Sequence, residues 1–161
     1  MRRATAHKIE MATVESSQDI QIRMMIAADG AQAVNGKLYI LGGGFDHVNM
    51  PSVPFQHRFD LAILIDVPWT ATNQPFQLVV EQLDADGNAL SYRAEAMIET
   101  GRPPGARRGA SFSVPIALPV VADFPEPGRY ILRGSINGEE RNRVAIEAVR
   151  APVATAPGAG P

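Results

Sequence analysis
Apolar residues return at every second position through most of this chain, and that period admits little besides a sheet with one buried and one wet face. In "FDLAILIDV", Phe59, Leu61, Ile63, Ile65 and Val67 share a face, with Asp60 and Asp66 on the other. In "ALSYRAEAMIE" the inner set is Leu90, Tyr92, Ala94, Ala96 and Ile98, against Ser91, Arg93, Glu95 and Glu99. "SFSVPIAL" groups Phe112, Val114, Ile116 and Leu118, while "RYILRGSI" and "RVAIEAV" group Tyr130, Leu132 and Ile136, then Val144, Ile146 and Ala148. Parallel sheets are buried on both faces and read as continuous apolar runs, so this alternation predicts an antiparallel chain throughout.

Turn chemistry agrees with that reading. Asn35-Gly36, Asp86-Gly87 and Asn137-Gly138 each lie between strand-like segments, and such dipeptides supply the positive φ angles of tight hairpins. Three hairpins are expected. Pro115 has no N–H for a ladder, which puts its strand at an edge or on a bulge. Short helical turns are expected only in "TATNQ" and "LPVVADF". Seven to nine short strands with regular turn signals predict an all-β, antiparallel β-sandwich, immunoglobulin-like or a close topological relative.

At 161 residues, one domain can bury roughly 68% of its unfolded surface without a disulfide or a metal. The chain contains no cysteine, which excludes thiol catalysis, thiolate zinc sites and a disulfide framework, and fits a cytoplasmic address. The opening "MRRATAHKIEMATVESSQD" has no apolar stretch behind its basic residues, unlike a secretory signal, and no window approaches the apolar run of a membrane span. Residues 1–21 are expected to be a flexible extension, residues 22–150 the sandwich, and the uncharged residues 151–161 a disordered Ala/Pro/Gly tail.

Charge is unevenly spread. Residues 29–100 hold three basic and nine acidic groups, and residues 101–150 hold eight and five. Interspersed charge of this kind ordinarily serves solubility. Arginine outnumbers lysine thirteen to two, which, with abundant alanine, glycine and proline, reflects a GC-rich coding sequence. Nucleic-acid binding is disfavoured by the acidic isoelectric point of about 5.9 and by the lack of aromatic residues among the basic ones.

Several stretches invite chemical readings. The run Gly42-Gly43-Gly44 before Phe45 could cradle a phosphate if a helix followed, because helix N–H groups would point at the anion. Pro51 and Pro54 forbid that helix, and no Gly-Lys-Ser/Thr is present. A bend in a sheet is favoured. Asp84, Asp86, Asn88 and Glu95 fall at calcium-loop positions 1, 3, 5 and 12, but Ala89 stands where the turn needs glycine, and the flanks alternate as strands. His47 and His57, near Asp46 and Asp60, could contribute to a two-histidine, one-carboxylate site, although solvated histidines are the plainer reading. No nucleophile elbow exists. We expect no catalytic residue, no metal ligand and no cofactor. "TGRPPGARRGA" puts Arg102, Arg107 and Arg108 on one loop, where they could hold an anion or an acidic partner or simply keep it soluble. Trp69, the single tryptophan, either plugs an end of the core or anchors an interface.

The blocks "GKLYILGGGFD", "LAILIDVPWTATNQPFQLVVEQLDADGNAL", "GRPPGARRG" and "PGRYILRGSINGEE" resemble those of a group of small uncharacterised bacterial proteins, of actinobacterial type, known only as a domain of unknown function. The resemblance spans about residues 24–148 and implies a compact β-sandwich with no reaction or cofactor. Pro-Gly-x-Tyr at Tyr130 also resembles the end of many immunoglobulin-like domains, where a corner tyrosine caps nearby backbone. Together these readings lead to a non-catalytic module that binds an unknown protein or itself, through edge strands and the loops at Gly42, Gly43, Gly44, Phe45, Trp69, Arg102, Arg107 and Arg108. An assembly component, phage- or shell-associated, is the alternative, and a metal-dependent ligand binder or enzyme comes third.

Overall fold
The computed structural model describes residues 19–152. The expected extension and tail lie almost wholly outside the described residues. Nine strands form among the described residues, most of them where the period is two: β1 (Gln21–Val34), β2 (Lys37–Gly43), β3 (His47–Met50), β4 (Phe55–Val67), β5 (Phe76–Leu83), β6 (Ala89–Ile98), β7 (Phe112–Phe124), β8 (Gly128–Ile136) and β9 (Glu139–Arg150). They make two sheets, in the orders β2-β1-β4-β7 and β3-β9-β8-β5-β6. β4 and β7 pair as strands B and E of an immunoglobulin domain do, while β5, β8 and β9 take the places of C, F and G, and β6 lies beside β5 as C′ does. The chain is an all-β, immunoglobulin-like sandwich.

All three expected hairpins form. Val34 pairs with Lys37 around Asn35-Gly36 (φ 50° and 71°), and Ile136 pairs with Glu139 around Asn137-Gly138 (φ 50° and 85°). Positive φ at both central residues matches the right-handed strand twist that two-residue hairpins require. Between β5 and β6 the loop is longer and is organised by Asp84. Its Oδ1 accepts from the N–H groups of Asp86 (2.9 Å) and Asn88 (2.8 Å), and its Oδ2 accepts from the Asn88 amide (2.9 Å).

Two expectations need correction. The chain is not antiparallel throughout, because β3 runs parallel to β9, from His47 beside Glu147 to Met50 beside Arg150. A four-residue strand carries too little sequence for a period to reveal its partner. It reaches β9 by crossing between sheets, not by turning back on a neighbour, and so arrives in the parallel sense. "LPVVADF" is not a helical turn but the end of β7, with Val120, Ala122 and Phe124 buried at alternate positions. "TATNQ" fares better, since one 3-10 turn covers Trp69–Ala71. Pro115 lies, as expected, on an edge strand.

Between the sheets, Leu61, Ile63 and Ile65 of β4 pack with Val80 of β5, Leu132 of β8 and Ile146 of β9, all buried. Ala62 points the other way yet is equally buried, where the β1–β2 hairpin leans over β4 and β7. At one corner the Tyr130 hydroxyl donates to the Glu126 carbonyl at 2.7 Å, and its ring meets Phe124 edge-on at 5.0 Å. This is the tyrosine corner expected at the start of β8. Buried Gln82 ties β5 to β7, donating to the Asp123 carbonyl (2.7 Å) and accepting from the Asp123 N–H (3.1 Å). A buried amide satisfied on both sides avoids its desolvation penalty and sets the register between sheets.

The outer face of the larger sheet carries one ion-pair ladder. Glu81 accepts from Arg133 at 2.7 Å and from Arg93 at 3.2 Å, with its side chain only 13% exposed. The Arg133 bond holds the Glu81 carboxyl below its usual range. A depressed carboxylate contributes stability above its unfolded value and loses it as pH falls through the folded value. We therefore expect Glu81→Gln to lower stability at pH 7 by about 1–2 kcal/mol. The difference should vanish in acid, where wild type and variant converge. Urea melts from pH 7 to pH 2 check this, and a constant difference across the range would refute it. Asp123, held low by Ser91 and Gln56, keeps its own acid dependence in the variant.

Candidate interaction surface
Gly42-Gly43-Gly44 carries the chain off the end of β2 and across to the other sheet. Gly42 (φ 60°) and Gly44 (φ 90°) occupy backbone that side chains strain to adopt, whereas Gly43 is regular strand. A Cβ at Gly42 would also stand 2.8 Å from Cγ of Asp29. The Gly44 N–H is spent on the Ala27 carbonyl (2.7 Å), and one residue pair later the Asp46 carbonyl accepts from the Glu147 N–H (2.8 Å). Phe45 anchors the crossing, its ring edge-on to Phe59 at 5.4 Å. The run is followed by strand and not by helix, which is the geometry of a bend.

Beside this bend lies a cavity of about 490 Å³, lined by Phe45, Phe55, His57, His47 and Asp29 among others. His57 is stacked between Phe55 (5.9 Å) and Phe59 (5.8 Å), and His47 Nδ1 lies 2.5 Å from the Asp46 carboxylate. The two histidines therefore share one cavity. Asp60 does not join them, because its carboxylate accepts the Ala31 N–H at 2.8 Å. No group of three potential metal ligands occurs among the described residues. Asp66 is likewise engaged, with Arg23 at 3.3 Å and the Ser113 hydroxyl at 3.0 Å.

Trp69 and Arg102 meet at the far end of β4. The guanidinium lies 4.2 Å above the indole and donates to the Trp69 carbonyl (3.2 Å) and to the Thr72 hydroxyl (2.6 Å). Phe112 flanks the indole at 6.3 Å. Arg102, although exposed, is thus a latch on the Trp69 turn, and Arg107 and Arg108 are exposed farther along the same loop. The bend lies level with Asp60, through Gly43 beside Ala28 and Ala28 beside Asp60, so the seven residues on to Val67 separate the two, roughly 23 Å of strand. The expected interaction residues accordingly form two separate groups, and no single patch contains them.

A third surface, on the side of the bend away from Trp69, was not singled out from the sequence. β2 lies at the edge of its sheet and exposes Leu41 (75%), Tyr39 (55%) and Ile40 (39%), with Val34 of β1 beside them. Open edges with apolar side chains invite another strand, and folded proteins ordinarily block them. The other three edges here are blocked. β7 contains Pro115 and Pro119, and it is laced to the β6 edge by Tyr92 to the Pro119 carbonyl (3.1 Å) and by Ser91 to Asp123. β6 also carries Arg93, Glu95 and Glu99 at or beside its outer run. β3 has four residues and ends against Pro51. β2 has seven, no proline, and no charge beyond Lys37. The signal was present in "KLYIL": four consecutive apolar residues break the alternation of the chain, and such a run on a surface implies a covered surface.

No functionally curated protein matches the chain. Among solved structures, an immunoglobulin-like protein from Pseudomonas aeruginosa is similar at 12% identity and a TM-score of 0.36, covering 83% of this chain and 99% of that one. The alkylpurine DNA glycosylase AlkC of Pseudomonas fluorescens, bound to DNA containing an abasic site analog, is similar at 12% identity and a TM-score of 0.37 over 82% of this chain. This chain spans 30% of the length of that glycosylase. Residues 23–149 match the model of a family of unknown function, DUF6941, and the chain belongs to that family.

Proposed function
We propose that this protein is a non-catalytic β-sandwich interaction module of a bacterial cytoplasm, and that it takes a partner's strand along the open edge of β2. The observation that carries the reading is the run Leu38 to Leu41, four apolar residues on an edge strand with three of them exposed. Strand addition suits such an edge, since main-chain bonds supply affinity and the alternating side chains supply selectivity. The absence of cysteine supports a reducing compartment.

Leu41→Lys tests the reading. The side chain is 75% exposed, so the melting temperature should stay within about 1–2 °C of wild type. A buried lysine at a strand interface should cut retention of the partner by about tenfold or more. Tagged wild-type and variant chains, expressed in the native host and compared by quantitative mass spectrometry, give the answer. Equal recovery of every partner from both would sink the proposal.

A further inference from the structure
We infer that the strand added to β2 is β2 of a second copy of this chain, in an antiparallel pair centred on Ile40. This rests on the interaction reading above and names its partner. A sheet edge is self-complementary under a two-fold axis, because antiparallel strands related by that axis exchange the same N–H and C=O groups. The axis is perpendicular to the sheet and keeps each side chain on its own face, so the pair must centre on a residue.

Centring on Ile40 satisfies every side chain of β2. Tyr39 lies across from Leu41 of the second copy, and Leu41 across from Tyr39, which pairs the two most exposed apolar side chains of the strand as aromatic with aliphatic. On the other face Ile40 meets Ile40. Lys37, the single charge of the strand, falls opposite Gly43 and away from its own copy, so no like charges are juxtaposed and the long side chain meets a residue without one. Self-repulsion between whole molecules is also small, since the net charge is -2. The three remaining edges are closed by proline, charge, shortness or each other, which leaves, among the described residues, this one edge through which the sheets of two copies can join into an eight-stranded sheet.

Ile40 is the one position that would face itself, and this yields a charge-swap experiment on the full chain. Sedimentation velocity of the wild type from about 1 to 100 µM should show a monomer–dimer equilibrium that closes at the dimer. Ile40→Lys and Ile40→Asp should each raise the dimer dissociation constant about tenfold or more, by setting like charges against one another. An equimolar mixture of the two should restore a dimer, now heteromeric. Circular dichroism melts establish that both variants fold. A wild type that stays monomeric throughout overturns the inference, as does a dimer indifferent to both substitutions, or a mixture that fails to recover. Hydrogen exchange on a monomeric wild type then separates the alternatives. Protected amides at Leu38 and Ile40, which point away from β1, would mean that another segment of the same chain covers the edge. Freely exchanging amides, together with a partner lost on Leu41→Lys, would retain the interaction module while removing its second copy.

Discussion
Phe124→Ala should cost about 3–5 kcal/mol, a large share of the 5–15 kcal/mol that holds a domain of this kind together. Phe124 is fully buried at the end of β7, edge-on to Tyr130. The neighbouring Asp123 backbone is the anchor that Gln82 holds from the opposite sheet. Removing the ring leaves a cavity at the one corner where three devices meet: an aromatic pair, the Tyr130 hydroxyl on Glu126, and the Gln82 bridge. Because the backbone on both sides is fixed by those hydrogen bonds, the site cannot collapse to fill the space, and the cost belongs at the upper end for such truncations. Chemical denaturation of wild type and variant measures it. A loss under about 1 kcal/mol would show that the corner relaxes freely and that the two sheets are not joined there as described.

Gly42→Val should lower stability by about 2–3 kcal/mol with no ligand present. A β-branched residue at φ 60° is strained, and its Cβ would crowd the Asp29 carboxylate. Gly43→Ala is the control, with an expected cost under about 1 kcal/mol. Gly43 has ordinary strand backbone, and the atom its new methyl meets at 2.6 Å is the Cγ2 of Ile40, an exposed side chain that can turn aside. The contrast between neighbours is the test. If both substitutions cost the same, the bend does not depend on the left-handed conformation of Gly42. If both are silent in stability but abolish binding of an added anion, the glycines serve a ligand and not the crossing.

The bend shows how far local sequence reaches. Absence of a following helix was enough to turn Gly42 to Gly44 from a phosphate loop into a corner, since Pro51 and Pro54 are visible to anyone reading the chain. Where the corner leads was not visible. It delivers β3 to the far edge of the other sheet, parallel to β9, and four residues hold no periodicity from which a partner could be read. The histidines behave alike: ten positions apart in sequence, His47 and His57 come to one cavity only because the crossing folds Phe45 back onto Phe59. Arg102 could be placed on a loop but not over Trp69, thirty-three residues earlier, because contacts at that separation depend on how two strands dock.

What the sequence determined by itself is local and repetitive: strands from the period of two, hairpins from Asn-Gly and Asp-Gly, an edge or a bulge at Pro115, a corner tyrosine at Tyr130. Each follows from backbone sterics and from which face of a strand is apolar, properties of a few adjacent residues. Tertiary structure decided which strands are edges and what covers them. Whether "KLYIL" is core or surface depends on how many neighbours its strand acquires, and that number is a property of the assembled sheets. β2 acquired one.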